Sequence, residues 1–244
     1  MIKIIDNIIL LGTSHVAHQS KKEIEDTIEK YLPEVVGIEL DFHRFQALMS
    51  ENKDKKKNNY TRKLIKEIGF SGYMFALIAG YVQQKVGESM NIEPGIDMKS
   101  AYLKAREHKI PTALIDMDIR LTLKKLSALS FGKKISMFSS LFFKSFKKEY
   151  REKLQFDVKK GVPDEKVIVE MLKIVKKEVP DLYNILIHDR NVFMCNKLLE
   201  LKQKHPGYIL AVVGAGHLEG MYEILNDKLK VTPNISFSFK VDLE

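Results

Sequence analysis

Two histidines of this sequence stand in the same local pattern, with a glycine three positions before each and an apolar run before that glycine. The patterns are GTSH, from Gly12 to His15, and GAGH, which contains Gly214 and Gly216 and ends at His217. A glycine directly after a strand permits a tight turn with positive φ, and the histidine then projects over the edge of the sheet. A neutral imidazole in that place can bind a divalent metal or act as a base.

Carboxylates end two further apolar runs. Glu39 lies at the end of EVVGIEL, and Asp116 and Asp118 follow PTALI. Ligands of open α/β sheets bind in the crevice at the carboxyl ends of the strands, so we expect these side chains and the two histidines to form one site. Two imidazoles and a carboxylate such as Glu39 suit zinc, manganese or cobalt. A metal of this kind would polarise a carbonyl and lower the pKa of a bound water.

The histidine motifs have two other interpretations. A histidine at a strand-to-helix turn often caps the helix or binds a backbone carbonyl, and each motif alone is compatible with that role. The stretch GAGHLEG is also similar to a loop that binds phosphate at a helix N-terminus. However, the dinucleotide pattern G-x-G-x-x-G would need glycine at the position of Glu219, and no G-x-x-x-x-G-K-[ST] motif is present. We therefore expect no nucleotide.

The elements that must position these residues alternate between strands and helices. Four apolar runs predict buried strands: NIILL (7–11), EVVGIEL (34–40), PTALID (111–116) and YILAVV (208–213). In the first helical pattern, Ser20 and Glu23 have the spacing of a capping box. The run VTPNISFSFKV predicts an edge strand near the C-terminus. This order predicts an α/β fold with a central mixed, largely parallel sheet and helices on both faces. We expect a single domain over residues 1–244, with a helical insertion or lid at 119–205.

The composition is that of a globular protein. Of 244 residues, 45% are hydrophobic and 30% are charged, which excludes a disordered chain. The longest uncharged apolar stretch, IGFSGYMFALIAGYVQQ (68–84), is shorter than the roughly 20 apolar residues of a membrane span, so it predicts a buried helix. Cys195 is the single cysteine, so no intramolecular disulfide can form. Because the N-terminus shows no secretion signal, we expect a cytoplasmic protein.

Much of the positive charge lies in two basic runs, residues 53–66 and 133–153, in a chain of net charge +8. Such runs can bind nucleic acid or an anionic membrane, although a solvated lysine-rich surface is the commoner reason for them. Apolar residues recur at helical spacing in the second run, which is also typical of a helix packed on a core. We expect no nucleic-acid partner. Peripheral membrane contact and a homodimer stay open.

Six segments in order resemble the TraB family. They are GTSH (12–15), GIELD (37–41), QQKVGESMNIEPGIDMKSAYLKA (83–105), ALIDMDIRLTLKKL (113–126), HDRNVFM (188–194) and VVGAGHLEGM (212–221). The resemblance extends from about residue 7 to 225. Relatives in this family include proteins that shut down bacterial pheromone production and the Tiki proteases of animals. More distant relatives by fold are erythromycin esterases and haem-binding ChaN-like proteins.

The resemblance to Tiki-type proteins implies a metal-dependent peptidase in which His15, Glu39 and His217 bind the metal or share the acid/base work. The ERD or ERN motif of the family implies that Arg190 lies in the site, where it would hold a substrate carboxylate or an oxyanion.

Two further positions depart from the family pattern. Asp97 stands where the family often has Glu, so it is either a catalytic residue or a helix cap, and the same alternative applies to Asp118. Met117 stands where many members have Arg, which removes one cationic group. We expect the substrate to contact Asp116, Asp118 and the motif glycines Gly12, Gly214 and Gly216, together with Arg190.

Three functions are compatible with these observations, in decreasing order of preference. The first is a metal-dependent hydrolase, most simply a peptidase, with Arg190 orienting the substrate and the helical insertion covering the site. The second is a protein that binds a peptide or small ligand in the same pocket without catalysis, and Met117 favours it. The third is a basic adaptor that binds a membrane surface or nucleic acid through residues 133–153.

Overall fold

A five-stranded sheet forms the centre of the molecule. The computed structural model describes residues 1–13, 17–50, 95–130, 132–133 and 165–231. The strands are β1 (Ile2–Ile5), β2 (Ile8–Thr13), β3 (Val35–Ile38), β4 (Thr112–Leu114) and β5 (Ile209–Gly214). Their order in the sheet is β1-β2-β5-β3-β4. β1 is antiparallel to β2, and each other neighbouring pair is parallel. The predicted mixed, largely parallel sheet is therefore confirmed.

The helices are numbered in chain order through the described ranges. They are α1 (Ala17–Tyr31), α2 (Phe42–Met49), α3 (Ile96–Glu107), α4 (Ile119–Ala128), α5 (Glu165–Glu178), α6 (Pro180–Tyr183), α7 (Asp189–Lys202) and α8 (Ala215–Val231). A π-helical segment, Asn184–His188, joins α6 to α7. Helices α4 to α7 lie between β4 and β5, where the sequence predicts a helical insertion. Its role as a lid stays a prediction.

Helices cover both faces of the sheet, as predicted. Alternate residues of β2 point to opposite faces, so Leu10 packs against α7 and α8, whereas Ile9 packs against α1 and α3. β2 is buried along its whole length, and β5 is buried up to Val213. A strand buried on both faces needs apolar side chains on both, which explains why these runs are continuously hydrophobic rather than alternating. The sequence predicted a buried strand at β4 as well, but β4 is only partly buried, because it lies at one end of the described sheet.

The N-terminal hairpin was not predicted from the sequence, since the first predicted strand begins at residue 7. β1 pairs with β2 through a turn in which Asp6 has a φ of 53°. Asp and Asn adopt this left-handed conformation more readily than most residues, and two-residue hairpin turns require it. The side-chain amide of Asn7 donates to the carbonyl of Gly207 over 2.7 Å, which fixes the turn beside the start of β5. The Asp-Asn pair between two apolar runs was the signal for this hairpin.

The capping box predicted at Ser20 is wrong. Helix α1 begins at Ala17, so Ser20 lies inside the helix rather than at its N-cap. Ser20 is 2% exposed and continues the buried stripe of Ile24 and Ile28 at a spacing of four residues. Its short side chain therefore lies on the packed face of the helix.

Several expectations fall outside the described residues. These are the basic run 53–66, the basic run 133–153 beyond Lys133, the apolar stretch 68–84, and the predicted edge strand beyond Val231. Within the ranges that are described, no helix is both long enough and apolar enough to cross a membrane.

Candidate functional site

The carboxyl ends of the parallel strands bring together residues that are far apart in the sequence. Glu39 directly follows β3, Asp116 lies two residues after β4, and His217 lies in the first turn of α8, just after β5. Arg190, in the first turn of α7, reaches both carboxylates. The sequence prediction that these four side chains share one edge of the sheet agrees with the geometry.

Glu39 is at the centre of this group. Its backbone N–H donates to the carbonyl of Val212 over 3.1 Å, so the pairing of β3 with β5 continues to this residue. Its side-chain Oε2 accepts the N–H of Gly214 over 2.7 Å. Oε1 contacts the guanidinium of Arg190 and lies 3.3 Å from Nε2 of His217. The side chain is 11% exposed, so these partners replace most of the water that a carboxylate would otherwise bind.

The guanidinium of Arg190 holds two carboxylates at once. Its Nε donates to Oδ1 of Asp116 over 3.1 Å, and its Nη2 donates to Oδ2 of Asp116 over 2.7 Å as well as to Glu39. Nη1 donates to the carbonyl of Leu186 over 3.3 Å. Leu186 belongs to the π-helical segment. The irregular turn thus helps to fix the arginine.

Asp116 contacts a second arginine, Arg44 of α2. Nε of Arg44 also donates to Oδ2 of Asp41 over 2.7 Å, and Oδ1 of Asp41 caps α2 by accepting the N–H of His43 over 2.8 Å. The backbone N–H of Met117 donates to Oδ1 of Asp116 over 2.8 Å. The methionine at position 117 therefore does not leave this carboxylate without cationic partners, because Arg44 and Arg190 supply two.

His217 is buried at 5% exposure and contacts polar groups through both ring nitrogens. Nδ1 lies 2.6 Å from Oδ1 of Asn191, and Nε2 faces Glu39. Asn191 follows Arg190 on α7 and is itself 1% exposed. Because an amide oxygen only accepts hydrogen bonds, Nδ1 carries the hydrogen in this contact. Nε2 is then the nitrogen that is directed at the carboxylate.

Glu39, Asp116, Arg190 and His217, together with Arg44 and Asn191, form one polar cluster. The charges in this cluster keep Glu39 ionised. Burial alone would raise the pKa of this carboxyl, but His217, Arg190 and the N–H of Gly214 together lower its pKa far below the usual range. Burial alone would likewise lower the pKa of Arg190, whereas Glu39 and Asp116 raise it above the usual range. The cluster therefore contains a carboxylate and a guanidinium that stay charged across all physiological pH values.

The glycines of the two motifs do not have the backbone conformation that the sequence predicted for them. Gly95 is the one glycine with positive φ in the described part of the chain, so the positive-φ turns expected at Gly12 and Gly214 are absent. Both lie within strands. A Cβ at Gly12 would lie 3.0 Å from a side-chain carbon of Leu218, and a Cβ at Gly214 would lie 3.4 Å from Oε2 of Glu39. The distance at 12 is tight, whereas the distance at 214 is that of an ordinary contact, so Glu39 uses the backbone N–H of Gly214 rather than space left by a missing side chain.

The remaining predicted residues lie around this group. Asp118 is the N-cap of α4 and accepts the N–H of Arg120, as the capping alternative expected. Asp97 is buried in the first turn of α3, where Gly95 holds the N-cap position. A Cβ at Gly216 would lie 3.4 Å from Leu172 of α5. His15 lies outside the described residues. Substrate contacts of these residues and a catalytic role of Asp97 stay predictions.

Two residues of the cluster, Arg44 and Asn191, were not predicted from the sequence to lie in the site. Arg44 is three positions after Asp41, a spacing that places both on one side of a helical turn. Asn191 adjoins Arg190 in the motif HDRN. Neither type of residue indicates a site by itself, since arginine and asparagine are common on helix surfaces. The only indication in the sequence is that Asn191 adjoins Arg190, which was assigned to the site, and that Arg44 lies close to Glu39 along the chain.

A metal site cannot be assembled from the described residues alone. In the ranges that the structure describes, no group of three His, Cys, Asp or Glu side chains is arranged to hold a metal ion. Glu39 and His217 provide two donors, 3.3 Å apart. Two ligands of one tetrahedral zinc, each about 2.0–2.2 Å from the ion, lie at about this separation. The separation of the pair therefore fits two positions of a metal site.

The sequence matches the model of the TraB/PrgY/gumN family over residues 4–230. The chain belongs to this family. The matched range includes all residues of the cluster and extends over every described strand except the first two residues of β1. The resemblance seen in the six sequence segments is therefore confirmed over nearly the whole chain.

Individual relatives agree with the family assignment. An uncharacterized protein of Methanocaldococcus jannaschii is 37% identical over 221 residues, which are 90% of this chain and 53% of that protein. The TraB domain-containing proteins of Mus musculus and Homo sapiens are 25% and 24% identical over alignments of 238 positions, which cover 88% of this chain and 61% of each relative. This family member thus spans between half and two thirds of the length of these relatives.

Proposed function

We propose that this chain is a metal-dependent hydrolase whose site is the Glu39–His217 pair at the carboxyl edge of the sheet. The observation that carries the proposal is the 3.3 Å separation between Oε1 of Glu39 and Nε2 of His217. A lone pair on Nε2 and a carboxylate repel each other at this distance unless a positive charge lies between them. A proton or a divalent cation would supply that charge.

Glu39 and His217 would hold the metal, with His15 as the third predicted ligand. The chemistry that a divalent cation supplies when bound is polarisation of a substrate carbonyl and a lower pKa of a bound water. Zinc, manganese and cobalt suit this mixed nitrogen and oxygen donor set.

Neighbouring residues hold the Glu39–His217 pair in a form that could bind a cation. Arg190 and the N–H of Gly214 keep the Glu39 carboxylate ionised and fixed in place. Arg190 uses four of its five N–H groups on protein acceptors, as its four hydrogen bonds indicate. We therefore assign Arg190 first to holding the carboxylates. The remaining N–H on Nη1 is available to orient a substrate oxygen.

We propose that the substrate is a peptide and that the protein acts in the cytoplasm. The proposal of a peptide substrate rests on the resemblance of the two G-x-x-H motifs and the Glu39 segment to the Tiki-type proteases. Asp116, Asp118, Asp97 and the helical insertion would contribute to substrate binding.

Calorimetric titration with Mn²⁺, Co²⁺ and Zn²⁺ tests the proposal on four proteins: wild type, Glu39→Gln, His217→Ala and His205→Ala. The last is a matched control, because Nδ1 of His205 also faces a glutamate, Glu34, at 3.5 Å, but on the opposite edge of the sheet. We expect binding in wild type and His205→Ala, and loss of binding in the two site variants. Equal binding in all four proteins would contradict the proposal.

Hydrolysis of a mixed peptide library by the metal-loaded protein is the second measurement. We expect cleavage by wild type and His205→Ala, and none by the site variants. Tight metal and peptide binding without any cleavage would instead favour the second function, capture of a ligand in the same pocket.

A further inference from the structure

One polar contact in the site joins the two helices that pack against the same face of the sheet. Oδ1 of Asn191, on α7, lies 2.6 Å from Nδ1 of His217, on α8. Both side chains are nearly inaccessible to water, at 1% and 5% exposure. A buried imidazole N–H needs an acceptor, and a buried amide oxygen needs a donor. The contact therefore satisfies both groups in a place where water does not reach them.

The surface of α8 has a gap where the amide of Asn191 lies. Gly220 is three residues after His217, on the same side of the helix. A Cβ at position 220 would lie 2.5 Å from Nδ2 of Asn191, whereas real Cβ atoms essentially never come within 3.0 Å of another heavy atom. Any other residue at 220 would therefore displace the amide or separate the two helices.

The hydrogen-bond acceptor at Nδ1 of His217 determines whether Nε2 carries a hydrogen or a free lone pair. With Nδ1–H donated to Asn191, the neutral imidazole presents the lone pair of Nε2 to Glu39, and a cation or a proton can lie between them. If Nδ1 had no acceptor, the hydrogen would move to Nε2, because the carboxylate of Glu39 is a strong acceptor 3.3 Å away. The Nε2–H form cannot bind a metal through that nitrogen.

We infer that Asn191 is a positioning residue that keeps the hydrogen of His217 on Nδ1, and that Gly220 is required to make room for its amide. The inference deepens the proposed function, because the nitrogen left for a metal is the one that faces Glu39. The position of the hydrogen, however, can be measured without metal or substrate. Failure of the two proposals is therefore distinguishable.

Long-range ¹H–¹⁵N correlation of the ¹⁵N-histidine-labelled chain of residues 1–244 measures this hydrogen directly, with His217→Gln to assign the signals. We expect a hydrogen on Nδ1 of His217 in wild type and in Asn191→Asp, since Asp retains the acceptor. In Asn191→Leu, which has a similar volume but no acceptor, we expect a single hydrogen on Nε2. Gly220→Ala should give the same result as Asn191→Leu.

Asn196→Leu is the matched control. Asn196 lies on the same helix and also bonds α8, through Nζ of Lys228 at 2.7 Å, but on the exposed side. We expect the wild-type signal from this variant. Nδ1 without a hydrogen in wild type, or an unchanged Nδ1–H in Asn191→Leu, would overturn the inference.

Metal titration of the same variants separates the two proposals. If the proposed function holds, Asn191→Leu should bind Zn²⁺ about 10–100-fold more weakly than wild type, the usual effect of removing the partner of a metal-binding histidine. If no variant binds metal but the hydrogen moves as expected, the positioning role stands and the metal-dependent function fails. Circular dichroism of each variant verifies that it folds.

Discussion

Removing the guanidinium of Arg190 should destabilise the fold more than removing any comparable surface arginine. In Arg190→Met the Glu39 carboxylate stays buried and keeps Nε2 of His217 and the N–H of Gly214 nearby, but it loses the guanidinium that pairs with it. Breaking a buried ion pair from one side costs about 3–5 kcal/mol. Asp116 keeps Arg44 and the N–H of Met117, so we expect a value near the lower end, about 3 kcal/mol.

Thermal unfolding followed by circular dichroism at pH 7 is the assay. For a domain of 150–250 residues, 1 kcal/mol corresponds to about 2–4 °C, so the expected drop in Tm is about 6–12 °C. Arg190→Lys keeps the charge but loses the planar fork, and its Tm should lie between those of wild type and Arg190→Met.

The matched control is Arg120→Met. Arg120 also pairs with an aspartate, Asp118, but their side chains are 31% and 26% exposed. Water solvates both partners there, so we expect a loss below about 1 kcal/mol. If Arg190→Met and Arg120→Met unfold at the same temperature, the claim that a buried charge is left behind is refuted.

A double variant tests the cause rather than the size of the effect. In Glu39→Gln/Arg190→Met the uncompensated charge is absent. The double variant should therefore be more stable than Arg190→Met alone, which is a coupling that two independent sites would not show. A double variant less stable than either single variant would contradict this reasoning.

Three further predictions follow from the ionisable groups and the cap. The pKa of Glu39 is lowered in the folded state, so its contribution to stability is fully present above the ordinary value of about 4.3 and is lost as the pH falls below it. Denaturation curves between pH 2 and 7 should therefore show a weaker acid dependence for Glu39→Gln than for wild type. Burial raises the pKa of the Cys195 thiol to about 12, so iodoacetamide at pH 8 should label the unfolded protein rapidly and the native protein hardly at all. Asp118→Ala should cost about 1 kcal/mol in urea denaturation through loss of the α4 cap, and Asp118→Ser, which can also cap, should cost less; equal losses would contradict the capping role.

The site also explains why its histidines could not be interpreted from spacing alone. G-x-x-H is a short pattern that many proteins contain, and its glycines were expected to form turns. In the structure Gly214 stays in β5 and serves Glu39, which comes from a neighbouring strand. The partner of its backbone N–H is a residue 175 positions away, so no local pattern could identify it.

The sequence by itself determined four of the five described strands and the place of the candidate site. Apolar runs long enough to bury both faces of a strand specify β2, β3 and β5, and a further apolar run specifies the partly buried β4. Strand direction alone places the polar residues directly after such runs at the carboxyl edge. Glu39, Asp116 and His217 were assigned to that edge for this reason, and their positions agree with it.

Only the tertiary structure decided how those residues are paired. Arg190 meets Glu39 across 151 positions of sequence, Arg44 meets Asp116 across 72, and Asn191 reaches His217 because Gly220 leaves space between α7 and α8. Such contacts depend on the angle and distance at which helices pack, and these follow from the summed shapes of many side chains. Local periodicity carries no information on that sum, so the partners of each charged group appear only when the helices are in place.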